Sequence, residues 1–261
     1  MNFLKVLGAS GSKCKDRGTT CFQISQNILI DAGNIINSLG KDSLNINHVF
    51  LTHAHSDHIV DLPFLLDNFY EKRTTPLYIY ASKQTIKLLK DHLFNDNIWP
   101  NFEKINLYNQ NIPSIKYIEI NENEETVVND TKIKAFKANH LEGSFGFVVQ
   151  KQDYSPLVIS GDTYINDNLT NILKCNNKIN QLIIECSFPN SMENLAINSL
   201  HLTPKLLEKQ LKDIDNKDLQ VYIYHQKINY YDQISKELSN IDILNKKIEF
   251  LSDDNMIEYI K

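Results

Sequence analysis

Residues 53–58 read His53-Ala-His55-Ser-Asp57-His58, three imidazoles and a carboxylate directly behind the apolar β-run HVFLT at 48–52. Three further β-runs end the same way: TKIKAFKAN leads into His140, LVISG into Asp162, and LQVYIY into His225. Side chains at the carboxyl ends of neighbouring strands project into the crevice above a sheet, a common place for ligand sites. A fold for this chain therefore has to bring four strand ends to one edge. Imidazole nitrogen and carboxylate oxygen suit borderline divalent cations, and catalytic sites of this kind keep a position for water. His53 and His55, two apart in extended backbone, can face one metal, with His140 completing its set. Asp57 and His58, past the bend, can face a second metal with His225, and Asp162 can bridge the two. Two such metals form a clamp that activates water and stabilises attacking and leaving oxygens.

Simpler explanations compete at each position. The 53–58 segment could be a solvated loop, and Asp162, within Ser160-Gly161-Asp162-Thr163, could sit in a plain turn. Position behind a β-run, together with the first cluster, favours the ligand role. His48 precedes its strand and His92 lies in a helical stretch, so both read as structural. His201 stands just before a helix start at Thr203, where a polar role near the N-cap is the alternative to a part in the chemistry.

The rest of the chain mixes strands and helices. NFLKVLG, CFQISQ and NILIDAG read as an opening meander. DLPFLLDNFYEK and SKQTIKLLKDHLFND carry apolar residues at helical spacing, the second with Ser82 as N-cap. TKIKAFKA, FGFVVQ, LVIS, QLIIEC and LQVYIY read as strands, with helices over 203–213 and roughly 229–239. Thr203 and Pro204 make a good helix start. This order predicts an α/β fold of two sheets with helices outside. No repeat or linker divides the 261 residues, so 1–261 is read as a single domain.

Composition narrows the function classes. Lys plus Arg number 27 against 32 acidic residues, a net charge of −5, which disfavours a large polyanionic partner such as nucleic acid. No apolar run approaches the ~18 residues of a membrane span, and the N-terminal apolar stretch is too short for a signal-peptide core. The four cysteines, Cys14, Cys21, Cys175 and Cys186, include no C-x-x-C pair. Free thiols in a cytoplasmic protein are expected, with a Cys14–Cys21 bridge as the alternative.

The string from Thr52 to His58, with His140, Gly161-Asp162-Thr163 and His225, resembles the metallo-β-lactamase superfamily. Within it the chain is most similar to the bacterial class II 3′,5′-cyclic-nucleotide phosphodiesterases. The matching stretches are LGASG (7–11), RGTTCF (17–22), ILIDAG (28–33), HVFLTHAHSDHI (48–59), IWPNF (98–102), SGDT (160–163), LIIECSF (182–188) and LAINSLHLTP (195–204). The resemblance implies a four-layered αββα sandwich with two divalent metals at one edge, zinc by ligand type with iron or manganese as alternatives. It implies hydrolysis of a small cyclic nucleotide (cAMP or cGMP) to the 5′-monophosphate by a metal-bound hydroxide, and it is compatible with a homodimer. Asp57 would orient the attacking oxygen. His201 would protonate the leaving 3′ oxygen or grip the phosphate. Thr163, His201 and Phe188 would touch substrate, and Phe145, Tyr164 or Phe188 could stack on the base. Ser56 and Asp61 depart from the class II pattern, which usually has Leu and a small residue there. Neither position supplies a ligand, so the departure bears on substrate preference.

Two rivals share the metal motif. A transfer-RNA 3′-processing endonuclease also carries a His-x-Thr element like His201-Leu-Thr203, but His225 is followed by Gln-Lys-Ile rather than Ser-x-Arg-Tyr, and no Gly/Pro-rich basic arm is evident. Thioesterase or lactonase chemistry uses the same metal hydroxide on a carbonyl. A diiron redox protein on this fold typically has Glu where this chain has His55.

Overall fold

Two sheets, each half antiparallel and half parallel, make up the centre of the molecule. The computed structural model describes residues 1–241 and 247–261. The expected meander forms β1 (Phe3–Gly8), β2 (Cys21–Ser25) and β3 (Ile28–Ile30), paired antiparallel. The sheet then turns parallel through β4 (His48–Phe50), β5 (Leu77–Ala81) and β6 (Ile115–Glu119). The second sheet begins with antiparallel β7 (Glu125–Val128), β8 (Thr131–Lys137), β9 (Phe145–Lys151) and β10 (Leu157–Ile159). It continues parallel with β11 (Gln181–Glu185), β12 (Gln220–Tyr224) and β13 (Lys247–Phe250). Finally β14 (Met256–Glu258) returns to pair with β1, so the described strands form two seven-stranded sheets.

The packing follows from strand composition. Leu4, Phe22, Ile30 and Phe50 of the first sheet meet Phe147, Ile159, Ile183 and Tyr222 of the second in one buried layer. The alternate residues point outward. Leu29, Val49 and Ile79 pack under helical residues Ile35, Leu62, Leu65 and Leu89, and Val158, Leu182, Ile184 and Val221 pack under Leu169, Leu207, Ile234 and Leu238. Strands covered on both faces carry near-continuous apolar runs, as β3, β10 and β11 do. Each fully buried aliphatic side chain contributes roughly 1.5–3 kcal/mol. The result is the expected four-layered αββα sandwich.

Local signals held where caps were clear. Ser82 Oγ accepts from Thr85 N at 3.1 Å and opens a helix over Lys83–His92. Thr203 Oγ1 accepts from Leu206 N at 3.4 Å and opens Pro204–Leu211. The helix expected over 61–72 is shorter, Leu62–Asp67, with turns to follow. The segment expected over 229–239 is a 3₁₀ turn, Ile228–Tyr230, then a helix, Tyr231–Ser239. Cys21 is buried, its thiol directed at the Asp31 carbonyl, while Cys14 is exposed; the four cysteines are free thiols. Among the described residues no helix is long and apolar enough to cross a membrane.

Candidate metal centre

The four β-runs do deliver their polar residues to one place. The ends of β4, β8 and β10 bring His53, His55, His140 and Asp162 into one group of donor atoms within 4.8 Å of one another. Asp57, His58 and His225 form a second such group, and Asp162, His201 and His225 a third. Asp162 joins them: its Oδ2 lies 3.3 Å from both His58 Nε2 and His225 Nε2, and 3.7 Å from His53 Nε2. Asp57 Oδ2 is 3.2 Å from His225 Nε2. His55 Nδ1 and His140 Nε2 face each other at 3.2 Å.

His53, His58, His140, His201 and His225 are each turned inward by a partner on the other ring nitrogen. Thr52 Oγ1 donates to Asp31 and can therefore accept from His53 Nδ1 at 3.0 Å. His58 Nδ1 donates to Asp31 Oδ2 at 2.7 Å. His140 Nδ1 donates to the Leu200 carbonyl at 3.1 Å. His225 Nδ1 donates to Ser187 Oγ at 2.9 Å, and Ser187 in turn donates to Glu185 Oε2 at 2.7 Å. His201 Nδ1 donates to Glu185 Oε1 at 2.7 Å. Such partners fix the tautomer of a metal-binding histidine and raise its basicity. Three of the residues involved, Asp31, Leu200 and His225, have positive φ of 59°, 57° and 67°. That backbone strain, about 1–3 kcal/mol each, is concentrated where side chains must be aimed.

Two buried atoms in the crevice, His53 Nε2 and Asp162 Oδ1, have no hydrogen-bond partner among the described residues. A buried acceptor left without a hydrogen bond is costly, and a cation would satisfy both. The donor set, imidazoles and carboxylates with no thiolate, fits a divalent metal such as zinc.

The charges divide the histidines. Burial and the neighbouring His58 push His53 well below the ordinary imidazole value, and burial takes His140 down to about 4. Burial also acts against a charged His58, but Asp162 and Asp31 outweigh it and raise His58 well above that value. His201 is raised likewise, the Glu185 carboxylate overcoming burial. Burial opposes ionisation of Asp57, yet the His225 hydrogen bond and the His58 charge hold its carboxyl well below the usual range.

All seven expected ligands and His201 thus meet in one crevice. Phe188 is buried with its ring edge toward His201, centroids 5.8 Å apart. Thr163, expected to touch substrate, stands behind the crevice wall's hydrogen bonds. It is fully buried, its N–H donates to Glu185, and its hydroxyl accepts from Asn139 N and donates to the Tyr164 carbonyl. Phe145 lies in the layer between the sheets rather than in a base pocket. Asp61 binds the backbone N–H of Ile36 at 2.9 Å and anchors the Ile35–Leu39 helix. His48 donates to or accepts from Tyr80 at 3.0 Å and stacks on Tyr78, a structural place as expected. Sequence reasoning missed Asp31, Glu185, Ser187 and Lys227. The strand-end rule would have found two of them, since Asp31 follows β3 and Glu185 ends β11.

Residues 26–225 match the family model described as a β-lactamase superfamily domain. The chain is 30% identical to a probable 3′,5′-cyclic-nucleotide phosphodiesterase of Yersinia pestis over 71% of its own length. It is 28% identical to a probable RNase of Methanocaldococcus jannaschii over 67%. It spans only 58% and 44% of the lengths of those two relatives. Among solved structures, unliganded yeast PDE1 superposes with a TM-score of 0.83 at 17% identity, covering 98% of this chain and 99% of that one. Human tRNase Z, short form, gives 0.69 at 18%, covering 98% of each. At such identities the superpositions speak for the fold. The matched family model, which covers more than half of the chain, shows that the chain belongs to the β-lactamase superfamily, and the superpositions give it the metallo-β-lactamase fold.

Proposed function

We propose that this chain is a metal-dependent phosphodiesterase that converts 3′,5′-cyclic nucleotides to nucleoside 5′-monophosphates. The observation that carries the reading is the pair of donor groups joined through Asp162. In this reading His53, His55, His140 and Asp162 hold one divalent cation, and Asp57, His58, His225 and Asp162 a second. Zinc is the expected ion, with iron or manganese as alternatives. When bound, the cations supply an activated water and neutralise charge building on phosphorus. Asp57, ionised by its neighbours, orients the attacking oxygen opposite the 3′ oxygen. His201 is pinned at Nδ1 by Glu185, so Nε2 is the atom that can hand a proton to the leaving 3′ oxygen. In this reading Phe188, packed against His201, touches the substrate. The named activity of the Yersinia pestis relative supports this choice of substrate.

Transfer-RNA 3′ processing is the second reading, favoured by a Thermococcus sibiricus Ribonuclease Z, 31% identical over 42% of this chain. The net charge of −5 weighs against it. The deciding assay offers cyclic AMP, cyclic GMP, bis-p-nitrophenyl phosphate and precursor tRNA to the purified protein before and after chelation. The expected result is chelator-sensitive release of 5′-monophosphate. Cleavage of precursor tRNA without turnover of either cyclic nucleotide would reverse the assignment.

A further inference from the structure

Lys227 follows the β12 ligand His225 by two residues and stands against the centre without belonging to any of its donor groups. Its Nζ donates to the Gly11 carbonyl and lies 3.9 Å from Asp57 Oδ2, with the side chain 27% exposed. An ammonium has three N–H donors. Those two neighbours leave one for a further acceptor. Lys227 also lines a cavity of about 400 Å³ together with Ser12, Lys13, Asn229 and Tyr230.

The walls of that cavity are built. Gly11 N donates to the Gln226 carbonyl at 3.2 Å, and Ile228 N donates to Ser12 Oγ at 3.1 Å, lacing the 11–14 loop to residues 226–228. Gly11 presses on the centre itself, since a Cβ there would lie 2.5 Å from the His225 carbonyl oxygen and 2.7 Å from its Nδ1. Lys227 is the lining residue that links the cavity to the centre, through its approach to Asp57, and both lysines that line the cavity are positive in a chain that is negative as a whole.

We propose that Lys227 is a substrate-binding residue, and that the cleft between the 11–14 loop and residues 227–230 receives the substrate's phosphoryl side. One ammonium N–H would pair with a non-bridging phosphoryl oxygen beside Asp57. This inference deepens the phosphodiesterase reading and rests on it for the identity of the substrate, but it requires only that the substrate be a phosphoester anion. A phosphodiester carries one negative charge and gains more as the attacking oxygen joins phosphorus, so a fixed ammonium stabilises both stages. A neutral lactone or thioester offers no such charge. Beyond the phosphate, the cavity leaves room for a ribose alongside Asn229 and Tyr230.

The test uses the metal-replete full chain, with AMP as the binding probe in calorimetry and bis-p-nitrophenyl phosphate as the kinetic probe. Lys227→Gln should weaken AMP binding and raise KM by roughly ten- to hundredfold, the scale of a charge-assisted hydrogen bond. Metal content should stay the same, kcat should fall less than KM rises, and Lys227→Arg should recover most of the affinity. Because Lys227 also braces Gly11, the exposed Lys13→Gln provides a variant outside that contact and should weaken AMP binding by a smaller factor. AMP affinity unchanged in both glutamine variants, no AMP binding by the wild type, or a loss that Lys227→Arg fails to restore would each overturn the inference. If AMP binding depends on Lys227 while cyclic nucleotides are not hydrolysed, the choice of substrate fails and the role of Lys227 stands. If cyclic nucleotides are hydrolysed equally well by Lys227→Gln, the reverse holds.

Discussion

The two donor groups share a crevice but are backed by different chemistry. His58 leans on the Asp31 carboxylate, and His225 on Ser187 and through it on Glu185. His140 leans on a backbone carbonyl, His53 on the Thr52 hydroxyl and only through it on Asp31, and His55 stands partly open, so His58 alone rests directly on a carboxylate among the ligands of the two groups. A carboxylate behind an imidazole makes it a stronger donor than a carbonyl or hydroxyl does. The Asp57–His58–His225 group should therefore hold its cation more tightly, and the His53–His55–His140 group should exchange more readily. In the metal-free protein the same contrast appears as charge, with His58 raised and His53 and His140 lowered.

Asp162 is where the contrast should disappear, because it serves both groups. Asp162→Ala is expected to lower the metal content measured by elemental analysis at both positions. It should reduce kcat/KM by roughly a thousandfold or more, the several kcal/mol that bound cations supply. Loss of one cation alone would mean that Asp162 does not bridge.

Asp31→Asn sharpens the comparison. It keeps the shape of the Asp31 side chain but removes the negative charge behind His58, so affinity for the more tightly held cation should fall about 10–100-fold. Chelator competition would read this, and the weaker cation should lose less, because Asp31 reaches His53 only through Thr52; equal weakening of both would break the distinction. Ser187→Ala cuts the link between His225 and Glu185 and should weaken the same cation by about tenfold, the low end of such effects. Asp31 and Ser187 follow strands of different sheets, β3 and β11, and a double variant showing additive losses would indicate independent support.

The smallest effect is on the stability of the chelated protein. The folded-state value of His58 is raised, so its ion pairs with Asp162 and Asp31 stabilise fully below the ordinary imidazole value of about 6.5. Their contribution is lost as pH rises through the raised value. The melting temperature of chelated protein should accordingly fall as pH climbs above about 6.5, and His58→Gln should flatten the slope. With cations bound the slope should vanish, since the metal takes the proton's place.

The sequence alone carried the donors, their order and their division into two sets. Each is announced locally, by a residue type at the end of a β-run, and a strand end is a property of a few neighbouring residues. The doubly covered strands and the capped helices at Ser82 and Thr203 were legible for the same reason. Strands β5, β6, β7, β13 and β14 were missed; the last four carry partly exposed, weakly patterned residues and are defined by their neighbours. Helix Asp167–Cys175 was also missed, although Asn166 caps it by accepting from Asn168 and Leu169 N–H groups.

What only the tertiary structure decided is how the donors are aimed. Asp31 reaches His58 across 27 positions of chain, His140 reaches the Leu200 carbonyl across 60, and Lys227 reaches Gly11 across 216. Those partners come from different strands and loops, and no local pattern encodes which of them will meet. Their proximity is set by the stacking of two sheets, which closes the distance that the chain leaves open.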